Sequence, residues 1–145
     1  MSFYGEYEQT AKADGRYLLV NIVKEKGKNL MKHIYLNLKR FDVPVEFGGV
    51  NRLAPVADWA SCIVKNTQEE LKTYDPTEVE FGMYFPEVHL LNAVAAKTEG
   101  SPVQIGCQSV FRADTAVGGN FGAFTTNRPA SAMVAAGCET TIIGH

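Results

Sequence analysis

Short β-branched runs alternate with stretches of helical periodicity along this chain, most clearly toward its carboxyl end. Thr140-Thr141-Ile142-Ile143 is compact, β-branched and flanked by Gly137 and Gly144, which predicts a strand of a parallel sheet. Ahead of it, Arg128-Pro129 supplies a helix start, because proline suits the first helical turn. Ala130, Met133 and Val134 recur at helical spacing, and Gly137 follows as the cap. Two further apolar runs, Glu78 to Pro86 and Pro102 to Ser109, are predicted strands, and Gln108 closes the second. The loop from Val110 to Phe121 contains Gly118-Gly119, but it lacks the strand-to-helix setting of a phosphate-cradling glycine loop.

Between these strands the spacing predicts helices. Ala57 to Tyr74 offers Trp59, Ile63, Val64 and Leu71 as an apolar face, with Lys65, Gln68, Glu69 and Lys72 outward and Asp75-Pro76 as the breaker. Glu87 to Lys97 is predicted as a helix with Val88, Leu91, Val94 and Ala95 inward. His89 is then expected to be exposed in its first turn rather than to serve as a ligand. Val45 to Pro55 reads as a strand entering a loop, so four parallel strands are expected to begin near Val45, Val79, Val103 and Thr140.

Upstream, Arg16 to Val23 reads as a buried strand. Leu30, Met31, Ile34, Tyr35, Leu38 and Phe41 recur at helical spacing, while Lys28, Lys32 and Lys39 fall on other faces. This pattern has two readings. One is a basic amphipathic helix that docks Leu30, Ile34, Leu38, Lys28 and Lys32 on an acidic partner, with a membrane surface as the lesser target. The other is a helix with a solvated lysine face.

Composition narrows the classes. At 46% hydrophobic and 21% charged, the 145 residues match an ordinary globular chain, and a net charge of −2 makes no case for nucleic acid. Cys62, Cys107 and Cys138 show no metal-ligand spacing, so no metal is expected. The odd count points to buried thiols in a reducing compartment such as the cytoplasm, with an organelle left open. The acidic start, Met-Ser-Phe-Tyr-Gly-Glu-Tyr-Glu, does not read as a cleavable targeting peptide. No apolar run approaches the ~18 residues of a membrane span.

Three blocks in order, Gly122-Ala-Phe-Thr125, Ala-Ala-Gly137-Cys138 and Ile-Ile-Gly144-His145, resemble triosephosphate isomerase between its third barrel strand and its catalytic histidine. The likeness extends weakly upstream to about Phe47. It implies a partial, half TIM-type βα barrel: an α/β fold of four parallel strands with intervening helices. Residues 1–46 would be an N-terminal extension serving as an attachment segment, and residues 47–145 the half barrel. The family's first strand leads into a Gly-Asn-Trp-Lys-Met-Asn pattern that binds substrate. Aligned on Val45 to Pro55, that pattern puts Val50 at the asparagine and Arg52 at the lysine, or Asn51 at the asparagine with a one-residue gap. An arginine keeps the charge but not the compact ammonium.

The resemblance further implies that His145 is the electrophile that polarises a substrate carbonyl, or a relic of it, with no cofactor. Thr125 matches a threonine that reaches into a neighbouring subunit, placing it at a subunit interface with Phe124 and Gln108. The family's next two residues, Gly-Glu, are Thr126-Asn127 here. The family's base glutamate, lid and phosphate loops belong to later strands, and a terminal carboxylate on His145 would favour its protonated form. The expectation is a non-catalytic subunit derived from that isomerase, held in a larger assembly by other protein chains that cover the open half barrel. The alternative is one piece of a split or truncated isomerase that interconverts dihydroxyacetone phosphate and glyceraldehyde 3-phosphate only with its missing half. With Phe81, Ile105 and Ile142 or their neighbours turned toward a missing half, ~500 Å² of wet apolar surface would forfeit on the order of 12 kcal/mol.

Overall fold

A computed structural model describes residues 31–143 in full, together with the backbone of three short upstream strands. Those are β1 (Lys12–Ala13), β2 (Arg16–Tyr17) and β3 (Leu19–Asn21). Then follow β4 (Lys32–Asn37), α1 (Val56–Glu70), β5 (Val79–Phe85), α2 (Leu90–Ala96), β6 (Val103–Cys107), α3 (Ala130–Ala135) and β7 (Thr140–Thr141). The main sheet runs β3-β4-β5-β6-β7. Strands β4 to β7 are mutually parallel, a curled half barrel with helices between, and β3 pairs antiparallel on the outer edge of β4. The fold is α/β.

Three of the four parallel strands begin where the pattern places them. The first does not. Val45–Phe47 is a single 3₁₀ turn, and the strand is Lys32–Asn37, inside the stretch expected to be an amphipathic helix. Ile34, Leu36 and Leu38 also alternate with His33, Tyr35 and Asn37, so the same residues satisfy a period of two. Pairing with β5 in the register Lys32↔Val79 to Asn37↔Tyr84 decides for the strand. Leu38 is therefore buried in the chain's own core, Ile34 is half-buried on the sheet and Lys32 is exposed. Lys28 and Leu30 lie outside the described residues. The division at 46/47 falls in the loop after this first parallel strand.

The core lies between the sheet and the helices. Leu38, Met83, Phe85, Val103, Ile105 and Cys107 from the sheet meet Trp59, Ala60, Val64, Leu90, Ala93 and Met133 from the helices. In α1 the expected face is present, except that Gln68 turns inward. Its amide donates to the Ala96 carbonyl at 3.0 Å and its oxygen accepts from Thr98 N–H at 3.1 Å. Helix α2 is rotated from the expected phase, because a 3₁₀ turn at Glu87–His89 precedes it with fewer residues per turn. Leu90, Ala93 and Ala96 are inward, Val88 and Leu91 are outward, and His89 is buried rather than exposed. Helix α3 ends as glycine should end it. Gly137 has φ 92, its N–H donates to Val134 O, and Cys138 N–H donates to Met133 O, which satisfies two terminal carbonyls.

The other face of the sheet is polar. Ile105 is fully buried under the helices and Phe81 packs against the same core, so neither lines the open concave side. Strand alternation puts His33, Tyr35 and Asn37, then Glu80 and Tyr84, then Gln104 and Gln108 on that side. Tyr35 lies across Gly82, and Tyr84 lies across Gly106. A Cβ on either glycine would meet the tyrosine Cδ1 at 2.7 Å. His33 Nδ1 contacts Glu80 Oε2 at 2.6 Å, and Tyr84 OH contacts Thr140 Oγ1 at 3.3 Å. Phe81 and Ile105 are thus already covered, Ile142 stays half-buried, and the open face carries hydrogen-bonding groups.

Candidate functional site

In parallel sheets, ligand chemistry gathers at the carboxyl ends of the strands, where the connecting loops converge. Here β4 ends in Asn37, β5 runs into Pro86 and β6 runs into Gln108. The turn Leu38-Lys39-Arg40-Phe41 leaves β4, closed by Phe41 N–H donating to Leu38 O at 3.0 Å. Lys39, its first central residue, has φ 44. That left-handed backbone costs a non-glycine residue roughly 1–2 kcal/mol, so surrounding contacts must hold it.

They do so at both peptide groups. Lys39 N–H donates to Asn37 Oδ1 at 2.9 Å, and Gln108 Nε2 donates to the Lys39 carbonyl at 2.8 Å. Gln108 Nε2 also reaches Asn37 Oδ1 at 3.2 Å, which closes the corner across two strands. The Lys39 side chain is exposed and forms no ion pair with the described residues. A cation on a strained, over-determined backbone, flanked by two amide side chains at a strand terminus, is suited to gripping a small anionic ligand.

The loop beyond this corner is also tied down. Asn51 is buried and acts as a clasp. Its Nδ2 donates to the carbonyls of Asp42 at 3.1 Å and Ala54 at 2.9 Å, and its Oδ1 accepts from Leu53 N–H at 2.9 Å. Asn51 therefore has no side-chain polar group free for a ligand in this arrangement. Arg52 beside it is exposed. Val50 to Arg52 lies in the loop beyond the first parallel strand, and an Asn-x-Lys triplet, Asn37-Leu38-Lys39, stands at the end of that strand. The helical period that residues 30–41 also fit masks it in the sequence. The signal available was the Asn-Leu-Lys triplet directly after an alternating run.

The remaining expected site residues lie apart or outside. Gln108 belongs to the corner just described. Phe124 packs edge-on against Phe111, with ring centroids 5.9 Å apart, and Thr125 is exposed at φ 42. Asp114 holds this long loop by accepting from Ser131 Oγ at 2.7 Å, and those hydrogen bonds lower its carboxyl below the usual range. His145 lies outside the described residues. Strand β7 is parallel to β6. Among the described residues no group of three or more His, Cys, Asp or Glu side chains is arranged to hold a metal ion. No described helix is long and apolar enough to cross a membrane.

Neither the protein-family models nor the curated proteins contain a match to this chain.

Proposed function

We propose that this chain is the N-terminal, ligand-gripping half of a triosephosphate isomerase-like βα barrel. Its Asn37-Lys39-Gln108 corner would hold a small phosphorylated carbonyl compound such as dihydroxyacetone phosphate. The observation that carries the reading is Lys39 itself, an exposed cation kept at φ 44 by Asn37 and Gln108 at the end of the first parallel strand. Asn37-Leu38-Lys39 keeps both residues of the family's Asn-x-Lys pattern, whereas Val50 to Arg52 keeps neither, which supports this reading. The described part of this corner supplies a cation and amides but no carboxylate base, so isomerisation would need a base from elsewhere in the barrel.

A second reading, a non-catalytic structural subunit held among other protein chains, is favoured by one observation. Strand β3 occupies the outer edge of β4, the edge at which the last strand of an eight-stranded barrel would have to close. The two readings separate in a titration of the purified chain with dihydroxyacetone phosphate, followed by the backbone amide resonances of Lys39 and Gln108. Saturable shifts that Lys39→Met abolishes support the gripping corner. Silence at both residues leaves the structural subunit.

A further inference from the structure

Close to the Lys39 turn lies a buried aspartate–histidine hydrogen bond that the gripping corner does not use. Asp42, at 2% exposure, accepts at Oδ2 from His89 Nε2 at 2.9 Å and from Arg40 at 2.7 Å. His89 is also 2% exposed, with its ring 5.1 Å from that of Trp59. The Arg40 side chain is largely in solvent, so the enclosed link is the one between Asp42 and His89. It joins two different loops at the same end of the sheet. Asp42 stands in the loop after β4, three residues past Lys39, and His89 stands in the 3₁₀ turn after β5.

This arrangement is poorly explained as a stability device. Burying a carboxylate is costly, and both donors converge on Oδ2, leaving Oδ1 buried without a partner among the described residues. An apolar pair of similar volume could fill the same space without that cost. What the pair does achieve is directional. The backbone of Asp42 is clasped by Asn51, and its side chain is pinned to a turn whose own position is set by His89 N–H donating to Pro86 O at 3.0 Å. The exit of the Lys39 turn is therefore fixed in place, while Asn37 and Gln108 hold its entry.

We propose that Asp42 and His89 are positioning residues that set the left-handed conformation of Lys39 and thereby aim its ammonium at the ligand. The consequence for ligand binding deepens the gripping-corner reading and rests on it, whereas the effect on the Lys39 backbone does not. The test uses the full chain and three variants. His89→Gln keeps a donor where Nε2 lies, His89→Phe removes it, and Asp42→Leu/His89→Phe removes both polar groups without stranding a buried charge. Two readouts are taken by NMR: the intraresidue amide-to-Hα signature of positive φ at Lys39, and the affinity for dihydroxyacetone phosphate.

The expected result is that His89→Gln retains the Lys39 signature while the other two lose it, with the melting transition still cooperative. Affinity should fall about tenfold where the signature is lost, as for other supporting-shell residues. If His89→Phe fails to fold, the double variant decides. Persistence of the signature in the double variant overturns the proposal. If the unaltered chain binds no triose phosphate, the gripping corner fails as a function, yet the backbone readout still decides whether Asp42 and His89 position Lys39.

Discussion

The side-chain amide of Gln108 donates to the main-chain carbonyl of Lys39 at 2.8 Å, across 69 residues of sequence. Together with the Asn37 contact to Lys39 N–H, this bond maintains a backbone geometry that lysine resists. Lys39→Gly should therefore relieve strain and raise unfolding stability by about 1 kcal/mol, net of the glycine's extra freedom when unfolded. The same change should abolish anion binding at the corner. Urea denaturation and a phosphate-ligand titration on one sample measure both, and a destabilised Lys39→Gly would show that φ 44 carries no strain.

The tyrosines that lie over glycines on the polar face make a graded prediction. A Cβ at Gly106 would meet the Thr140 carbonyl at 2.8 Å as well as the Tyr84 ring, whereas at Gly82 it meets only side-chain atoms, nearest the Tyr35 ring. Backbone cannot swing away as a ring can. Gly106→Ala should cost about 2–3 kcal/mol and Gly82→Ala about 1 kcal/mol, as overpacking does elsewhere. Equal midpoints in urea for the two variants would contradict the packing described.

Tyr35 should govern part of the alkaline stability. Burial, and then the negative charge of Glu80, raises its phenol above the ordinary 10.0. A folded value above the unfolded one means that the contribution is complete below about pH 10 and is lost as pH climbs through the folded value. Tyr35→Phe should flatten the fall of the urea midpoint over this alkaline range, and an unchanged slope would remove Tyr35 as its source.

Cys138 should be chemically quiet. Burial, with the Cys107 thiol beside it, pushes its thiol up to about 12, so almost no thiolate is present near neutrality. An aromatic disulfide reagent at pH 8 should leave Cys138 unmodified in the folded chain and label it on addition of denaturant. Rapid labelling without denaturant, mapped by mass spectrometry, would show that the segment between α3 and β7 opens freely.

Much of this architecture is written locally. Strands β5, β6 and β7 and helices α1 and α3 follow from apolar periodicity punctuated by Pro76, Pro86, Pro102, Pro129 and Gly137. These residues act on their own backbone whatever surrounds them. The stretch from Leu30 to Phe41 is different. Its apolar positions fit both a period of two and a helical period, and hydrogen bonding to β5, more than forty residues away, makes it a strand. The burial of His89 likewise depends on a 3₁₀ turn that shifts the phase of α2, and on Asp42 waiting in another loop. The Lys39 corner is the extreme case. No local preference puts a lysine at φ 44, and besides Asn37 two residues before it, the turn is held by Gln108, brought 69 residues along the chain by strand pairing.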